Sequence, residues 1–163
     1  MIIKKKNVGA MKVKKGQMLQ HAGELNTKVY VVEAGLLRSY AIDKKGKEHI
    51  FAFAPEGWTI ADLCEVTIPC ELFIDALEDS TVTVIEKEER KKQVAINTVV
   101  KRILVLQKRV IMLMSAPALE RYEYFIETYP NIIQRVPQKM IASYLGITPE
   151  ALSRVRKERT KAK

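Results

Sequence analysis

The hydrophobic pattern of this chain changes its period once, near Gln93, and that single change divides what the chain can fold into. From Lys14 to about Glu86, turn signals recur at short intervals: Lys15-Gly16, Ala22-Gly23, Ala34-Gly35, 43–46, 55–57 and Glu78-Asp79-Ser80. Between them lie short runs rich in β-branched and aromatic residues, at 29–32, 36–42, 49–54, 72–76 and 81–85. Such side chains suit a pleated, half-buried surface, and many short strands at this spacing predict an all-β sandwich or barrel. Helical periodicity is absent there.

Past Gln93, Ile96, Val99, Ile103, Leu106, Val110 and Leu113 alternate three and four residues apart, the spacing of a coiled-coil seam. Val100, Leu104, Ile111 and Met114 form a second apolar stripe, rotated from the first. A helix with two stripes needs two partners. One stripe is assigned to the β-rich part of the same chain and the other to the same helix of a second chain, giving a two-fold homodimer. The alternative is one helix buried in a monomer, since short seams also occur inside bundles. Ser115-Ala116-Pro117 ends or redirects the helix, because proline removes a backbone donor and restricts the residue before it. A hinge is expected there. Beyond it Leu119, Tyr122, Ile126 and Tyr129 repeat on one helical face up to Pro130, and two short helices follow. The fold class expected is therefore α+β in three parts: a β-rich domain over 1–92, a long dimerisation helix over 93–116, and a small trihelical domain over 117–163.

The most specific string is VPQKMIASYLGITPEALSRVRK, residues 136–157. Pro137 suits the first position of a helix, and Gly146 suits the left-handed residue that ends it. A second helix opens at once: Thr148 can cap it, Pro149 takes its first position, and Glu150 puts negative charge where the helix dipole favours it. Ile141, Leu145, Ile147, Leu152 and Val155 supply an apolar crossing, with Ala142 as its small contact. This is a helix-turn-helix pattern. On the second helix Ala151, Leu152 and Val155 face inward, while Glu150, Ser153, Arg154 and Lys157 fall on the opposite stripe. Arginine can donate two parallel bonds to guanine and glutamate can accept from the cytosine amino group, so that stripe suits the major groove of double-stranded DNA. Gln138, Lys139, Thr148 and Arg156 join it as candidate DNA contacts, with Arg156, Arg159, Lys161 and Lys163 placed for phosphates. The competing readings are a helical hairpin with a solvated charged face, or a protein-docking surface.

Charge supports the nucleic-acid reading. The net charge is +9, yet residues 98–163 hold 13 Lys or Arg against 5 Glu, a balance of +8, and residues 1–97 hold 15 against 14. A basic half joined to a neutral half is the footprint of a nucleic-acid-binding protein, and a solvated basic tail is the bland alternative. No run reaches the ~20 apolar residues of a membrane span, and no secretion signal follows Lys4, Lys5 and Lys6. Cys64 and Cys70, without a CxxC pair, read as reduced cytosolic thiols rather than a zinc site or a disulfide framework. Cytoplasmic residence is expected.

On the strings KKGQMLQHAGELNTKVYVVEAGLLRSY (14–40), ALEDSTVTVI (76–85) and RVPQKMIASYLGITPEALSRVRK (135–157), the chain resembles the Crp/Fnr family of bacterial transcription regulators. The resemblance implies a cyclic-nucleotide-binding-like double-stranded β-helix (jelly roll), a dimer helix and a C-terminal helix-turn-helix reading a palindromic operator. It also places base contacts on Glu150 and Arg154. A further base-contacting arginine often precedes that glutamate in the family, and Pro149 stands there. Ending at Lys163, the chain is expected to be a short member without the β-hairpin wing, which weakens the inference of contacts to RNA polymerase. The family's ribose-binding Gly-Glu-Leu aligns with Ala61-Asp62-Leu63, and its phosphate-clamping Arg-Ser with Cys70-Glu71. Exchanging a cationic clamp for a thiol and a carboxylate removes the main attraction for a cyclic phosphate, so cyclic AMP is not expected at the candidate effector pocket of Asp62, Cys70 and Glu71. That pocket is left to another, unidentified effector or to none. Two cysteines are too few for an iron–sulfur cluster, and a haem on His21 or His49 has little support, so no cofactor is expected. The rival from another class is a metal-dependent cupin-like enzyme, for which two histidines 28 positions apart, with Glu48 beside one of them, are poor material. Another is a β-roll interaction module with a helical domain that does not bind DNA.

Overall fold

The computed structural model describes residues 9–87 and 96–161; the side chains of residues 96–99 and 101 lie outside that description. The chain divides into two compact units, 1–93 and 94–163. The proposed boundary between 92 and 93 lies outside the described residues.

In the first unit eight strands are described: β1 (Ala10–Val13), β2 (Met18–Gln20), β3 (Lys28–Ala34), β4 (Leu37–Ile42), β5 (Glu48–Ala54), β6 (Thr59–Ile60), β7 (Phe73–Ala76) and β8 (Ser80–Glu86). They form two antiparallel four-stranded sheets, ordered β1-β8-β3-β6 and β2-β7-β4-β5. Val13, Tyr30, Val32, Leu37, Ala54, Ile60, Ile74, Ala76 and Val82 make one buried apolar cluster drawn from both sheets. This is the expected jelly roll, since two half-apolar sheets have nowhere else to put those faces. The long strands agree with the sequence reading to within two residues, while β1, β2 and β6, of two to four residues each, carry too short a pattern to stand out in it.

Two features fix the roll. Gly35 has φ +93°, and a Cβ there would meet Ser80 Oγ at 2.2 Å and Ser80 Cα at 2.7 Å. Only glycine lets the β3–β4 turn pass that close to β8's first residue. On β4 the buried Arg38 guanidinium donates to both oxygens of Asp75 on β7, at 2.8 and 2.9 Å, and to Glu48 at 2.6 Å, while stacking over Tyr40. Two carboxylates and a ring face compensate for burying that charge.

The second unit holds four described helices: α1 (Ile96–Ser115), α2 (Ala118–Thr128), α3 (Gln138–Leu145) and α4 (Pro149–Lys161). Pro117 stops α1 and is the cap residue of α2; likewise Pro137 is the cap of α3, with ψ 138°, one position before the helical slot proposed for it. The small core sits among α2, α3 and α4. The face that α2 buries is Tyr122 and Phe125, with Tyr129 just beyond it, rather than Leu119 and Ile126, which are half-buried. Phe125 is fully buried and lies 5.3 to 5.5 Å, centroid to centroid, from the rings of Tyr129 and Tyr144. An aromatic ring outcompetes the aliphatic positions because it fills more of a core this small.

The turn at Pro117 is braced. Arg121 donates from Nε to the Ala116 carbonyl at 2.8 Å and from Nη1 to the Leu145 carbonyl at 3.1 Å. Arg109 of α1 lies 4.0 Å over the Tyr144 ring, and Leu113 comes within van der Waals reach of a Cβ built on Gly146. These interactions tie the last turns of α1 to α3 across the place where a hinge is expected.

Candidate nucleic-acid interface

The interface is built on the junction of α3 and α4. Gly146 adopts φ 63° and ψ 33°, the left-handed conformation, and its N–H returns to α3. Ile147 N–H reaches the Ala142 carbonyl at 3.0 Å, the six-to-one bond of a Schellman ending. Two residues later α4 begins at Pro149. Thr148 Oγ1 accepts from the Ala151 N–H at 3.2 Å, satisfying one orphan donor of the first turn. Leu152 and Val155 are buried against Ile141, Ala142, Tyr144 and Leu145, all buried on α3. Packing and capping together fix which face of α4 looks outward.

Glu150, Ser153, Arg154 and Lys157 are all exposed on that outward face, as are Gln138, Lys139 and Thr148. Arg156 and Arg159 are half-buried, Lys161 is exposed, and Lys163 lies outside the described residues. A shallow open groove of about 480 Å3 is lined by Gln138, Ser153, Arg156, Lys157, Thr160 and Lys161. It brings Arg156 together with two lysines. Bonds from its own backbone N–H and from the Thr148 hydroxyl hold the Glu150 carboxyl below the usual carboxylate range, so at neutral pH it is an acceptor only. The surface thus offers base-edge acceptor and donors at its centre and concentrated positive charge beside them, which is what groove reading and phosphate anchoring separately require.

The dimer stripe is less uniform than the heptad pattern. Ile103 and Val110 are more than half exposed, while Leu106 and Leu113 are half-buried, Leu113 through its approach to Gly146. Ile96 and Val99 lie on α1, but their side chains fall outside the described residues. The second stripe is open as well: Val100, Leu104 and Ile111 are about half exposed and Met114 is 81% exposed. Sequence reasoning misses Arg109, Arg121, Phe125 and Tyr144, which pack and bond around α3 and the Pro117 corner beneath the candidate surface. An arginine beside a seam and an aromatic between two stripes carry no periodic signal.

In the roll, the candidate effector residues sit in three different settings. Asp62 is buried; its Oδ1 accepts from Cys64 N–H at 3.0 Å and its Oδ2 from Glu71 and Leu72 N–H, both at 2.9 Å. Burial pushes its carboxyl up, but those backbone bonds prevail and leave it below the usual range. Cys70 is buried, its thiol donating to the His21 carbonyl at 3.0 Å, and burial raises its pKa. Glu71 is exposed. Among the described residues no three His, Cys, Asp or Glu side chains converge as a metal site would require, and no described helix is long and apolar enough to cross a membrane.

Comparison with known proteins bears on both units. The model of the cyclic nucleotide-binding domain family matches residues 10–97. Among curated proteins, the chain is 26% identical to the anaerobic regulatory protein of Aggregatibacter actinomycetemcomitans, over 88% of this chain and 63% of that one. It is 25% identical to the fumarate and nitrate reduction regulatory protein of Vibrio cholerae, over 88% and 65%. The chain thus spans just under two thirds of the length of these relatives. Among solved structures, FixK2 from Bradyrhizobium japonicum superposes with a TM-score of 0.74 at 22% identity, covering 94% of this chain and 85% of that one. A Crp/Fnr-family transcriptional regulator from Thermus thermophilus superposes at 0.70, with 15% identity over 94% and 87%. The likeness to solved structures is one of fold, and it extends through the helical unit.

Proposed function

The chain belongs to the cyclic nucleotide-binding domain family, as a Crp/Fnr-like member, and from that premise we propose that it is a sequence-specific, DNA-binding transcription regulator that reads a palindromic operator as a homodimer. The observation that carries this reading is the outward face of α4, where Glu150, Ser153, Arg154 and Lys157 are all exposed while Leu152 and Val155 anchor the helix. Arg154 reads a base, Glu150 accepts from one, and Arg156, with Lys161 beside it in the groove, holds phosphate. Gln138 and Lys139 at the start of α3 add backbone contacts.

Self-association runs through α1. Ile103, Val110, Leu104 and Ile111 expose more apolar surface than a lone helix in water sustains, and a second α1 in two-fold register covers it. Cyclic AMP does not suit the roll, whether another effector or none acts there: Asp62 spends its carboxylate on the loop backbone, and Glu71 offers negative charge where a cyclic phosphate needs a cation.

Selection of bound duplexes from a random DNA pool tests the reading as a whole. A palindromic consensus is the expected result, because it requires base reading and two-fold symmetry together. Recovery of random sequence with strongly salt-dependent affinity would leave only non-specific binding and refute it.

A further inference from the structure

We propose that Cys64 is an oxidation site: a thiol that hydrogen peroxide converts to sulfenic acid, with Lys87 giving the proton to the departing oxygen. Lys87 is only 6% exposed, yet its Nζ donates to the Cys64 carbonyl at 2.8 Å and to Cys64 Sγ at 3.2 Å. Burying an ammonium is costly unless an anion pairs with it. Among the described residues no carboxylate lies within ion-pair distance of Lys87. Its charge points instead at sulfur, the one atom of the cluster that oxidation can convert to an oxygen acid.

Polar groups face Sγ: the Lys87 ammonium at 3.2 Å and the Thr27 hydroxyl at 3.8 Å. A proton donor held against sulfur is placed to assist departure of the leaving oxygen. Cys64 is partly exposed, so a molecule the size of peroxide reaches it; Cys70 is buried with its thiol committed to the His21 carbonyl.

The reaction balances with peroxide as the only co-reactant. A sulfur lone pair forms the S–O bond as the O–O bond breaks. The thiol gives its proton to solvent water, and the leaving oxygen takes a proton from Lys87 and departs as water. A proton from solvent restores Lys87. Sulfur is oxidised by two electrons and one peroxide oxygen is reduced, so thiol and peroxide give sulfenic acid and water. The new oxygen stands within reach of Nζ and adds an anionic or polar acceptor beside the Cys64 carbonyl that Nζ already holds.

The test is peroxide treatment of the full chain with dimedone as sulfenic-acid trap, read by peptide mass spectrometry. In the native protein Cys64 should label at least roughly tenfold faster than Cys70, and the two should label alike in urea, where burial and Lys87 are both removed. Equal native labelling of the two cysteines overturns the proposal. Lys87→Met should slow Cys64 by roughly tenfold or more, as loss of a positioned acid does. Lys87→Arg keeps a cation in place but gives up no proton, so it too should be slow. A Lys87→Arg rate equal to that of the unsubstituted chain overturns the proton-donor role, and this result stands even if Lys87→Met fails to fold.

Discussion

Replacing Arg154 with alanine separates base reading from phosphate holding more sharply than any other single change. Arg154 is exposed on α4 and no intramolecular hydrogen bond or ion pair of its side chain is described, so its loss leaves folding stability within about 0.5 kcal/mol of the starting value. The effect falls on binding. A bidentate arginine–guanine contact contributes about 1 to 3 kcal/mol of discrimination per half-site, so an operator with two half-sites loses ~2 to 6 kcal/mol, at least roughly 30-fold in affinity. Scrambled duplex, where the arginine finds no guanine in register, should lose far less. Arg156→Ala provides the contrast. It lines the groove with Lys157 and Lys161, and removing it should weaken selected and scrambled duplexes alike. The log–log salt slope should become shallower by about 0.9 for each phosphate that is no longer neutralised, close to two units for the dimer. Fluorescence anisotropy titrations of the three proteins against both duplexes at several salt concentrations read all of this. If Arg154→Ala leaves the ratio of specific to scrambled affinity unchanged, α4 does not enter the groove in the orientation proposed.

Further predictions concern dimerisation, the roll and the small core. Leu106→Lys places a charge on the α1 seam and should give monomers in sedimentation together with loss of operator binding, since an unpaired buried charge costs several kcal/mol, roughly, before relaxation. Calorimetry with cyclic AMP and cyclic GMP should show no binding at physiological concentrations. The folded-state pKa of Asp62 is depressed, so its contribution to stability is complete above the ordinary carboxylate range near pH ~4 and is lost as pH falls below it. Asp62→Asn should therefore lower stability in urea by about 1 to 3 kcal/mol at pH 7 and flatten the acid limb, whereas an unchanged acid limb would mean other carboxylates govern it. Phe125→Ala should cost about 3 to 5 kcal/mol, enough to unfold a three-helix core and abolish DNA binding while strand circular dichroism persists.

How far these features can be read from sequence follows from the range of the forces behind them. The helix-turn-helix is legible because it is local: Gly146, Thr148 and Pro149 act through their own backbone and their nearest turns. The strand runs are legible for the same reason. Their pairing is not, because β1 lies beside β8 only after some seventy residues of chain have returned, and no local pattern encodes that register. Phe125 escapes notice because an aliphatic period of three and four already fits through Leu119 and Ile126. The bracing by Arg109 and Arg121 is invisible, since both read as ordinary surface charge until Tyr144 and the Leu145 carbonyl are brought beside them.

The bracing at the Pro117 corner alters what sets the spacing of a DNA site. With Arg109 on Tyr144, Leu113 against Gly146 and Arg121 clamped across the corner, the late turns of α1 and the α3–α4 pair behave as one casting. In a dimer joined along α1, the two reading helices are then like the jaws of a calliper whose arms do not flex. Under the proposed function, the gap between half-sites follows from the point along α1 where the two copies cross. Sliding that crossing by one heptad, ~10 Å of helix, should shift the preferred separation of half-sites rather than merely weaken binding.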